Sequence, residues 1–292
     1  MRRLRIPKIF TASLLLLLYG CSGREQEINQ VKINFNDRWE FLISEDSLTA
    51  FPASPNRELV KLPHTPVIEP LVVNDQWQGT CWYRKRFFLD RKYADKNLFL
   101  EFEGAMMVAE VWVNGIKKAR HMGGYLPFTV DFTVDALPGD TNEVIVKLDN
   151  RDNPVTGPKP LEILDFNMYG GLYRDVFFIA KNEVFITDPI LENKTAGGGI
   201  FVRYPEVSAE RAAIEVKTHI RNTGNQPAGV TIVHQLHDGD ALILEEETPV
   251  HALGARADHH VTASLEVLDP LLWTPRSPNL YSLVTQIYTE GK

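Results

Sequence analysis

The side chains in this chain that could do chemistry include carboxylates, eight histidines and two cysteines. His234 and His237 are three residues apart in a strand pattern, which places their rings on opposite faces of the strand. The neighbours His259 and His260 point apart for the same reason. Because a metal ion needs several ligands that converge on one point, the histidine pattern predicts no metal site.

The N-terminus has the pattern of an export signal. A positively charged stretch over residues 2–8 precedes an apolar run, Leu14–Leu18, that is too short to span a bilayer. A small residue then precedes Cys21, which resembles a bacterial lipobox in which Cys21 is lipidated and becomes the mature N-terminus. Tyr19 is bulky for that pattern, and the alternative is an ordinary signal peptide cut nearby.

Both alternatives predict an exported protein. Residues 1–20 are the predicted signal peptide, of lipoprotein type, and residues 21–30 the predicted tether. A lipid on Cys21 would anchor the chain to a bacterial membrane, in the periplasm or at the outer membrane. Cys81 would then be the only remaining thiol, so no intramolecular disulfide could form.

The charge balance bears on the class of partner. Removing residues 1–20 takes away four positive and no negative charges, which moves the formal net charge from −7 to −11. An acidic chain without a clustered Lys/Arg stripe argues against nucleic acid as a partner.

The elements that must position these groups are strands, because the apolar residues recur with period two. Asn114–Gly115, at the end of one such run, predicts a two-residue hairpin turn. No segment of twelve or more residues after the signal carries a helical stripe, so the chain is predicted to be all-β. The clearest alternating runs are Leu98/Leu100/Phe102, Val144/Val146/Leu148, Ile214/Val216/Thr218/Ile220 and Val261/Ala263/Leu265/Val267.

A domain boundary is predicted near residues 182–188. The block 31–184 is rich in aromatic residues and long loops, which suits a jelly-roll sandwich. The block 185–292 has evenly spaced strands and turn signals, which suits an immunoglobulin-like sandwich without the cysteine pair of antibody domains.

Six motifs follow one another in the first block: LPH at 62–64, WYRKRF at 82–87, FEG at 102–104, VWVNG at 111–115, GGY at 123–125 and YGGLYRDV at 169–176. Their succession resembles the N-terminal sugar-binding domain of family 2 glycoside hydrolases, the group of β-galactosidases, β-glucuronidases and β-mannosidases. The second block closes with WTP at 273–275 and PNLY at 278–281, and is similar to that family's immunoglobulin-like domain. The resemblance covers about residues 33–290. It implies a jelly-roll (galactose-binding-like) sandwich followed by an immunoglobulin-like β-sandwich.

The resemblance also implies where the catalytic residues of the family lie. A TIM barrel follows these two domains and carries both catalytic glutamates, since retaining hydrolysis needs two carboxyl groups about 5–5.5 Å apart. The sequence reaches Lys292 without a barrel pattern, so no catalytic residue is expected within it. Asn142–Glu143 and Asn182–Glu183 match the Asn–Glu pair of the family's acid/base, but each is expected to be the solvated start of a strand. The metal ions of family β-galactosidases bind mainly to the barrel, so no cofactor is expected here.

Asp165 is the main sugar-binding residue that the resemblance implies. It lies nine residues before Arg174, at the spacing of an aspartate that reaches from the first domain into the barrel's active site and holds a sugar hydroxyl. A carboxylate suits this role because it accepts strong hydrogen bonds from adjacent hydroxyls. The alternative is a local Asx turn or a surface charge.

Gln78 and Tyr169 are the other two implied sugar contacts. Gln78 lies just before the WYR strand, where β-galactosidase-like members have an amide, although asparagine is the expected residue; the alternative is an exposed polar side chain. Tyr169 and Phe166 offer aromatic faces to a sugar ring, and packing beneath the loop is the favoured alternative. Trp77 could also stack on a sugar, whereas Arg174 and Asp175 are expected to form a structural ion pair. Core positions are expected for Trp39, Trp82 and Trp112.

Two functions follow from these patterns. The first is the non-catalytic N-terminal portion of an exported family 2 glycoside hydrolase, which supports a catalytic barrel encoded downstream and most resembles β-galactosidases. The second is a stand-alone carbohydrate-binding surface lipoprotein. Both make a carbohydrate the partner.

Overall fold

A computed structural model describes residues 30–45, 51–68, 76–156 and 166–289. Cys21, the predicted signal peptide and Asp165 lie outside the described residues, as does the predicted tether except for Gln30. Of the helices in the described ranges, none has the length and apolar character needed to cross a membrane.

The described residues form β-strands almost throughout, with two single 3₁₀ turns and one short helix, α1 (Pro189–Glu192). The strands of the first half are β1 (Gln30–Asn34), β2 (Trp39–Ile43), β3 (Glu58–Val60), β4 (Thr80–Phe88), β5 (Asn97–Phe102), β6 (Val108–Val113), β7 (Ile116–Met122), β8 (Phe128–Asp131), β9 (Thr141–Asp149) and β10 (Val176–Lys181). The strands of the second half are β11 (Val184–Ile186), β12 (Ile200–Val207), β13 (Arg211–Asn222), β14 (Ala228–Asp238), β15 (Ala241–Glu247), β16 (His251–Leu253), β17 (Asp258–Leu268), β18 (Trp273–Thr274), β19 (Ser277–Pro278) and β20 (Ser282–Thr289).

The first half is a sandwich of two antiparallel sheets. A six-stranded sheet has the order β3-β2-β4-β9-β6-β7, and a four-stranded sheet has the order β1-β10-β5-β8. The inward positions follow the period of two read from the sequence, as in β5, where Leu98, Leu100 and Phe102 are buried in the central core. The predicted hairpin turn is confirmed at Asn114 (φ 49°) and Gly115 (φ 81°), between β6 and β7. The predicted all-β architecture is therefore confirmed.

Three tryptophans of the first sandwich are buried, in two separate clusters. Trp39 belongs to the central core, where its indole N–H donates to the carbonyl oxygen of Phe35 at 2.9 Å. Trp82 and Trp112 instead stack on each other outside the sandwich, with ring centroids 6.2 Å apart, in a smaller cluster that Phe51 covers. Burial was predicted correctly for all three, but the sequence did not separate the two clusters.

The second half is a smaller sandwich. In one sheet β13 pairs with β17 on one side and with β11 and β12 on the other; in the second sheet β14 pairs with β20 on one side and with β15 and β16 on the other. The alternating residues of β13 and β17 fill the space between the sheets, as their period of two predicts.

The two sandwiches meet through aromatic and polar contacts. Phe99 of β5 and Phe185 of β11 pack edge to face, with ring centroids 6.0 Å apart. Asn97 Nδ2 donates to Thr223 Oγ1 at 2.9 Å, and Lys181 Nζ donates to the carbonyl oxygen of Ile186 at 2.9 Å. The second sandwich therefore packs against the outer face of the four-stranded sheet.

One expectation about a strand start is wrong. Asn142 is fully buried rather than solvated, because its Oδ1 accepts from Leu137 N at 2.9 Å and from Asn114 Nδ2 at 2.8 Å. It ties the β8–β9 connection to the hairpin turn. Glu183, of the other Asn–Glu pair, is exposed directly before β11.

Acid is expected to destabilise the second sandwich through His234. Its side chain is fully buried, and burial lowers the pKa of its imidazole. The unfolded chain therefore binds a proton more readily, and the free energy of unfolding falls as pH drops through about 6.5. The free energy of unfolding, measured with urea between about pH 7.5 and 5, should fall less steeply with decreasing pH in His234→Gln than in the wild type. His237→Gln on the same strand controls for the substitution, and equal slopes in the wild type and His234→Gln would contradict the expectation.

Candidate functional site

Four connections of the first sandwich meet at one of its ends. Thr80 of β4 and Val108 of β6 both pair with Asp149, the last residue of β9. In the other sheet, the last residue of β5, Phe102, pairs with the first residue of β10, Val176. The described parts of the β3–β4, β5–β6, β7–β8 and β9–β10 connections therefore lie together, and we call this region the loop end.

The Gly170–Gly171 turn is fixed at the loop end by backbone contacts. Gly171 exchanges two hydrogen bonds with Met106, at 3.0 and 3.3 Å, and Leu172 O accepts from His64 N at 2.8 Å. Gly171 has φ +101°, and a Cβ there would lie 2.5 Å from His64 O and 2.7 Å from Tyr83 Oη. Both the backbone angle and the space therefore require glycine.

Asn150 joins this turn to the β3–β4 connection. Its side chain is 1% exposed. Its Nδ2 donates to Trp77 O at 2.8 Å, and its Oδ1 accepts from Gly79 N at 2.8 Å. A Cβ on Gly170 would lie 2.8 Å from the same Nδ2. The residues before β4 and those before β10 therefore pack on the two sides of one buried amide.

The structure places two of the three predicted sugar contacts at the loop end. Gln78 is exposed, and its Oε1 accepts from Asp152 N at 3.2 Å. Tyr169 is half-buried, and its hydroxyl accepts from Asn167 Nδ2 at 2.8 Å. Asp165 lies outside the described residues. Sugar contact by all three residues stays a prediction.

A methionine cluster lies beside the turn. Met106, Met107 and Met168 are buried together and pack against Tyr173. The Tyr173 hydroxyl donates to the carbonyl oxygen of Gly124, which fixes the β7–β8 connection to the same cluster. This cluster was not predicted from the sequence, although Gly124 of the GGY motif at 123–125 lies at one of its edges.

His64 and Tyr83 pack directly against Gly171 of the turn. His64 Nδ1 lies 2.9 Å from Tyr83 Oη. Burial lowers the pKa of His64 and raises the pKa of Tyr83 well above its ordinary value, so both side chains are neutral near pH 7. The Nδ1 atom of a neutral imidazole can accept a hydrogen bond from the Tyr83 hydroxyl, and this bond fixes the two side chains relative to each other.

Arg174 and Asp175 have partners other than each other. Asp175 Oδ1 accepts from Asn36 Nδ2 at 2.8 Å, whereas the Arg174 guanidinium lies 5.7 Å from the centre of the Tyr173 ring. These contacts replace the local ion pair that the sequence predicts. Trp77 is half-buried against the central core.

The charged side chains of the described ranges form no metal centre. Among these residues, no three or more His, Cys, Asp or Glu side chains are arranged to hold a metal ion. The loop end instead offers hydroxyl, amide and aromatic groups on loops that are joined by hydrogen bonds. Such groups can recognise a polar ligand with apolar faces.

Comparison with known proteins identifies the family. The model of the sugar-binding domain of glycosyl hydrolases family 2 matches residues 26–182, and a second model of the same family matches residues 199–292. A β-glucuronidase of Formosa agariphila is 30% identical over 223 residues, which cover 75% of this chain and 23% of that protein. A β-galactosidase of Bacteroides ovatus is 26% identical over 283 residues, covering 92% of this chain and 31% of that protein.

Solved structures show the same architecture. The crystal structure of a Bacteroides uniformis β-glucuronidase superposes with a TM-score of 0.77 at 26% identity, covering 90% of this chain and 31% of that one. A β-glucuronidase from glycoside hydrolase family 2 superposes with a TM-score of 0.79 at 26% identity, covering 98% of this chain and 30% of that one. The chain thus spans about a quarter to a third of the length of these relatives. It belongs to glycosyl hydrolase family 2, with the family's sugar-binding domain at residues 26–182.

Proposed function

We propose that the chain is the non-catalytic N-terminal portion of an exported family 2 glycoside hydrolase. Its first sandwich contributes the loop end to a sugar site that a catalytic barrel, encoded downstream, completes. The observation that carries this proposal is the match of the family's sugar-binding domain to residues 26–182, combined with the position of Gln78 and Tyr169 at the same end of that domain.

Each predicted contact has a distinct role in the proposal. The carboxylate of Asp165 accepts hydrogen bonds from adjacent sugar hydroxyls. The amide nitrogen of Gln78 donates to a sugar oxygen, since its Oε1 is occupied by Asp152 N. The ring of Tyr169 offers an apolar face to the pyranose. The substrate class is a β-glycoside, in keeping with relatives named as β-glucuronidases and β-galactosidases.

Export and lipid anchoring complete the proposal. The charged and apolar pattern of residues 2–18 and the small residue before Cys21 support them. The anchor would hold the sugar site at a bacterial membrane, in the periplasm or at the outer membrane.

A stand-alone carbohydrate-binding lipoprotein is the second candidate function. The lipobox-like pattern at Cys21 favours it, because a surface anchor suits a protein that captures glycans. The coding DNA that follows the Lys292 codon separates the two candidates. A barrel sequence there, in frame or shifted by one base, supports the first, and its absence supports the second.

The non-catalytic claim predicts no hydrolysis by the purified chain. Nitrophenyl β-galactoside and nitrophenyl β-glucuronide should release no nitrophenol above the buffer rate, because the glutamate pair needed for retaining hydrolysis is assigned to the barrel. Absorbance of released nitrophenol is the measurement. Turnover that co-purifies with the chain through two chromatographic steps would contradict the claim.

A further inference from the structure

A short hairpin lies at the end of the second sandwich that is opposite the joint with the first. Its two strands, β18 and β19, follow the last residue of β17, Leu268, which pairs with Arg211 at the start of β13. The joint lies at the other end of β13, where Asn97 donates to Thr223. Since β13 has twelve residues, its two ends are about 35 Å apart. The surface of the hairpin is therefore remote from the joint.

Hydrogen bonds fix the backbone of this hairpin. Leu271 N donates to Tyr281 Oη at 2.8 Å, and Asn279 Nδ2 donates to the carbonyl oxygen of Leu272 at 3.0 Å. These bonds join the chain that enters β18 to the chain that leaves β19. The side chains that the hairpin exposes are therefore held in place before any partner binds, which lowers the entropic cost of association.

Five large apolar side chains on and beside the hairpin are exposed, and we call them the hairpin patch: Leu268, Leu271, Leu272, Trp273 and Leu280. Trp273 is 57% exposed and Leu280 is 75% exposed. From the area that leucine and tryptophan side chains remove from water when buried, the five leave about 400 Å² of apolar surface in contact with solvent. One side of a standard protein interface covers about 800 Å², of which rather more than half is apolar. The hairpin patch is therefore about as large as the apolar part of one side of a stable interface.

Charges of opposite sign lie at the two ends of the hairpin. Arg276 lies at the tip, in the turn between β18 and β19. Glu210 lies at the base, where its carbonyl oxygen accepts from Asp269 N at 2.9 Å. Both side chains are exposed, and the ion pair of the neighbouring residues, Arg211 with Glu206, involves neither of them. The apolar residues therefore lie between a cation at the tip and a carboxylate at the base.

We propose that the hairpin patch binds a second copy of this chain in a symmetric dimer. Two hairpins that pack antiparallel across a two-fold axis bring the tip of each against the base of the other. Arg276 then pairs with the partner's Glu210 twice, at both edges of the contact, and the apolar side chains pack across the axis. A two-fold interface must be self-complementary in this way, and an apolar centre with a polar rim is the usual arrangement. The joint between the two sandwiches takes no part in the contact.

Analytical ultracentrifugation of the purified chain measures this association. At about 100 µM the mean mass should be that of two chains, since interfaces of standard size have dissociation constants in the micromolar range or below. Leu280→Glu places a carboxylate in the apolar centre and should leave the mass of one chain at the same concentration. Leu126→Glu is the matched control, because it makes the same substitution at an exposed leucine of the first sandwich, and it should associate as the wild type does. Circular dichroism checks that each variant is folded, and Trp273→Ser takes the place of Leu280→Glu if that variant is not.

A charge exchange tests the packing of tip against base. Arg276→Glu alone and Glu210→Arg alone each place like charges at both edges of the contact, so each should raise the dissociation constant at least about tenfold. An equimolar mixture of the two variants should associate as tightly as the wild type, because the mixed dimer again has opposite charges at both edges.

Three results would each overturn the proposal. The first is a wild-type chain with the mass of one chain at about 100 µM, which would leave the hairpin patch to a different partner, such as the proposed barrel. The second is association of the folded patch variant, Leu280→Glu or Trp273→Ser, at the wild-type level. The third is a mixture of Arg276→Glu and Glu210→Arg that associates no more tightly than either variant alone.

Discussion

Gly171→Ala is expected to lower the free energy of unfolding of the first sandwich by about 2–5 kcal/mol. The left-handed backbone angle, φ +101°, costs about 1–2 kcal/mol for a residue with a Cβ. The added methyl group would lie 2.5 Å from the carbonyl oxygen of His64, a backbone atom that cannot rotate away, and overpacking of this kind costs about 1–3 kcal/mol more. The variant should also disturb the loop end, since the turn pairs with Met106.

Gly115→Ala is the matched control. Gly115 has a similar angle, φ +81°, but a Cβ there would meet nothing within 4 Å. Its loss should be about 1–2 kcal/mol, the cost of the backbone angle alone. Urea unfolding followed by tryptophan fluorescence measures both variants. Equal losses in the two would show that the close packing of Gly171 against His64 contributes nothing.

Asn150→Ala is expected to cost about 2–4 kcal/mol. The substitution removes the partner of the buried Gly79 N, which costs about 1–3 kcal/mol, and one hydrogen bond to the part-buried Trp77 O, which is worth about 0.5–1.5 kcal/mol. The β3–β4 connection should detach from the Gly170 turn. Faster amide exchange in residues 76–79 would then accompany the loss of stability.

Asn153→Ala controls for the loss of an asparagine in the same connection. Asn153 is half-buried, and its Oδ1 accepts from Val155 N and Thr156 N in a local turn. Water can replace these bonds, so the loss should stay below about 1 kcal/mol. A loss for Asn150→Ala no larger than that for Asn153→Ala would contradict the role assigned to Asn150.

Most of the fold could be predicted from the sequence because burial in a sandwich imposes a strict period of two. Leu98, Leu100 and Phe102 show this in β5, and Asn114–Gly115 shows the same for a hairpin turn. The period does not say which buried face a residue occupies when both faces are covered. Trp82 and Trp112 were for that reason not assigned to the outer cluster.

The candidate site was harder to predict because its supports come from distant parts of the chain. Asn150 contacts Trp77 and Gly79 across more than seventy residues, and no local pattern marks it. Asn142 was expected to be solvated because strand starts are usually exposed. Its side chain is instead buried, where it accepts a hydrogen bond from the side-chain amide of Asn114. Motif order identified the family, whereas the contacts that hold the loop end follow only from the three-dimensional packing.

We propose that the first sandwich binds a β-glycoside through Asp165. Calorimetric titration of the purified chain with methyl β-galactoside and methyl β-glucuronide tests it most directly, with Asp165→Ala as the test variant. Asp95→Ala, an exposed carboxylate at the opposite end of the first sandwich, serves as the control. We expect weak saturable binding of one of the two sugars, with Kd of about 1 mM, because the proposed barrel would supply the other contacts to the sugar. Binding should persist in Asp95→Ala and disappear in Asp165→Ala. Heats that do not saturate with either sugar, or an unchanged Kd in Asp165→Ala, would contradict the account.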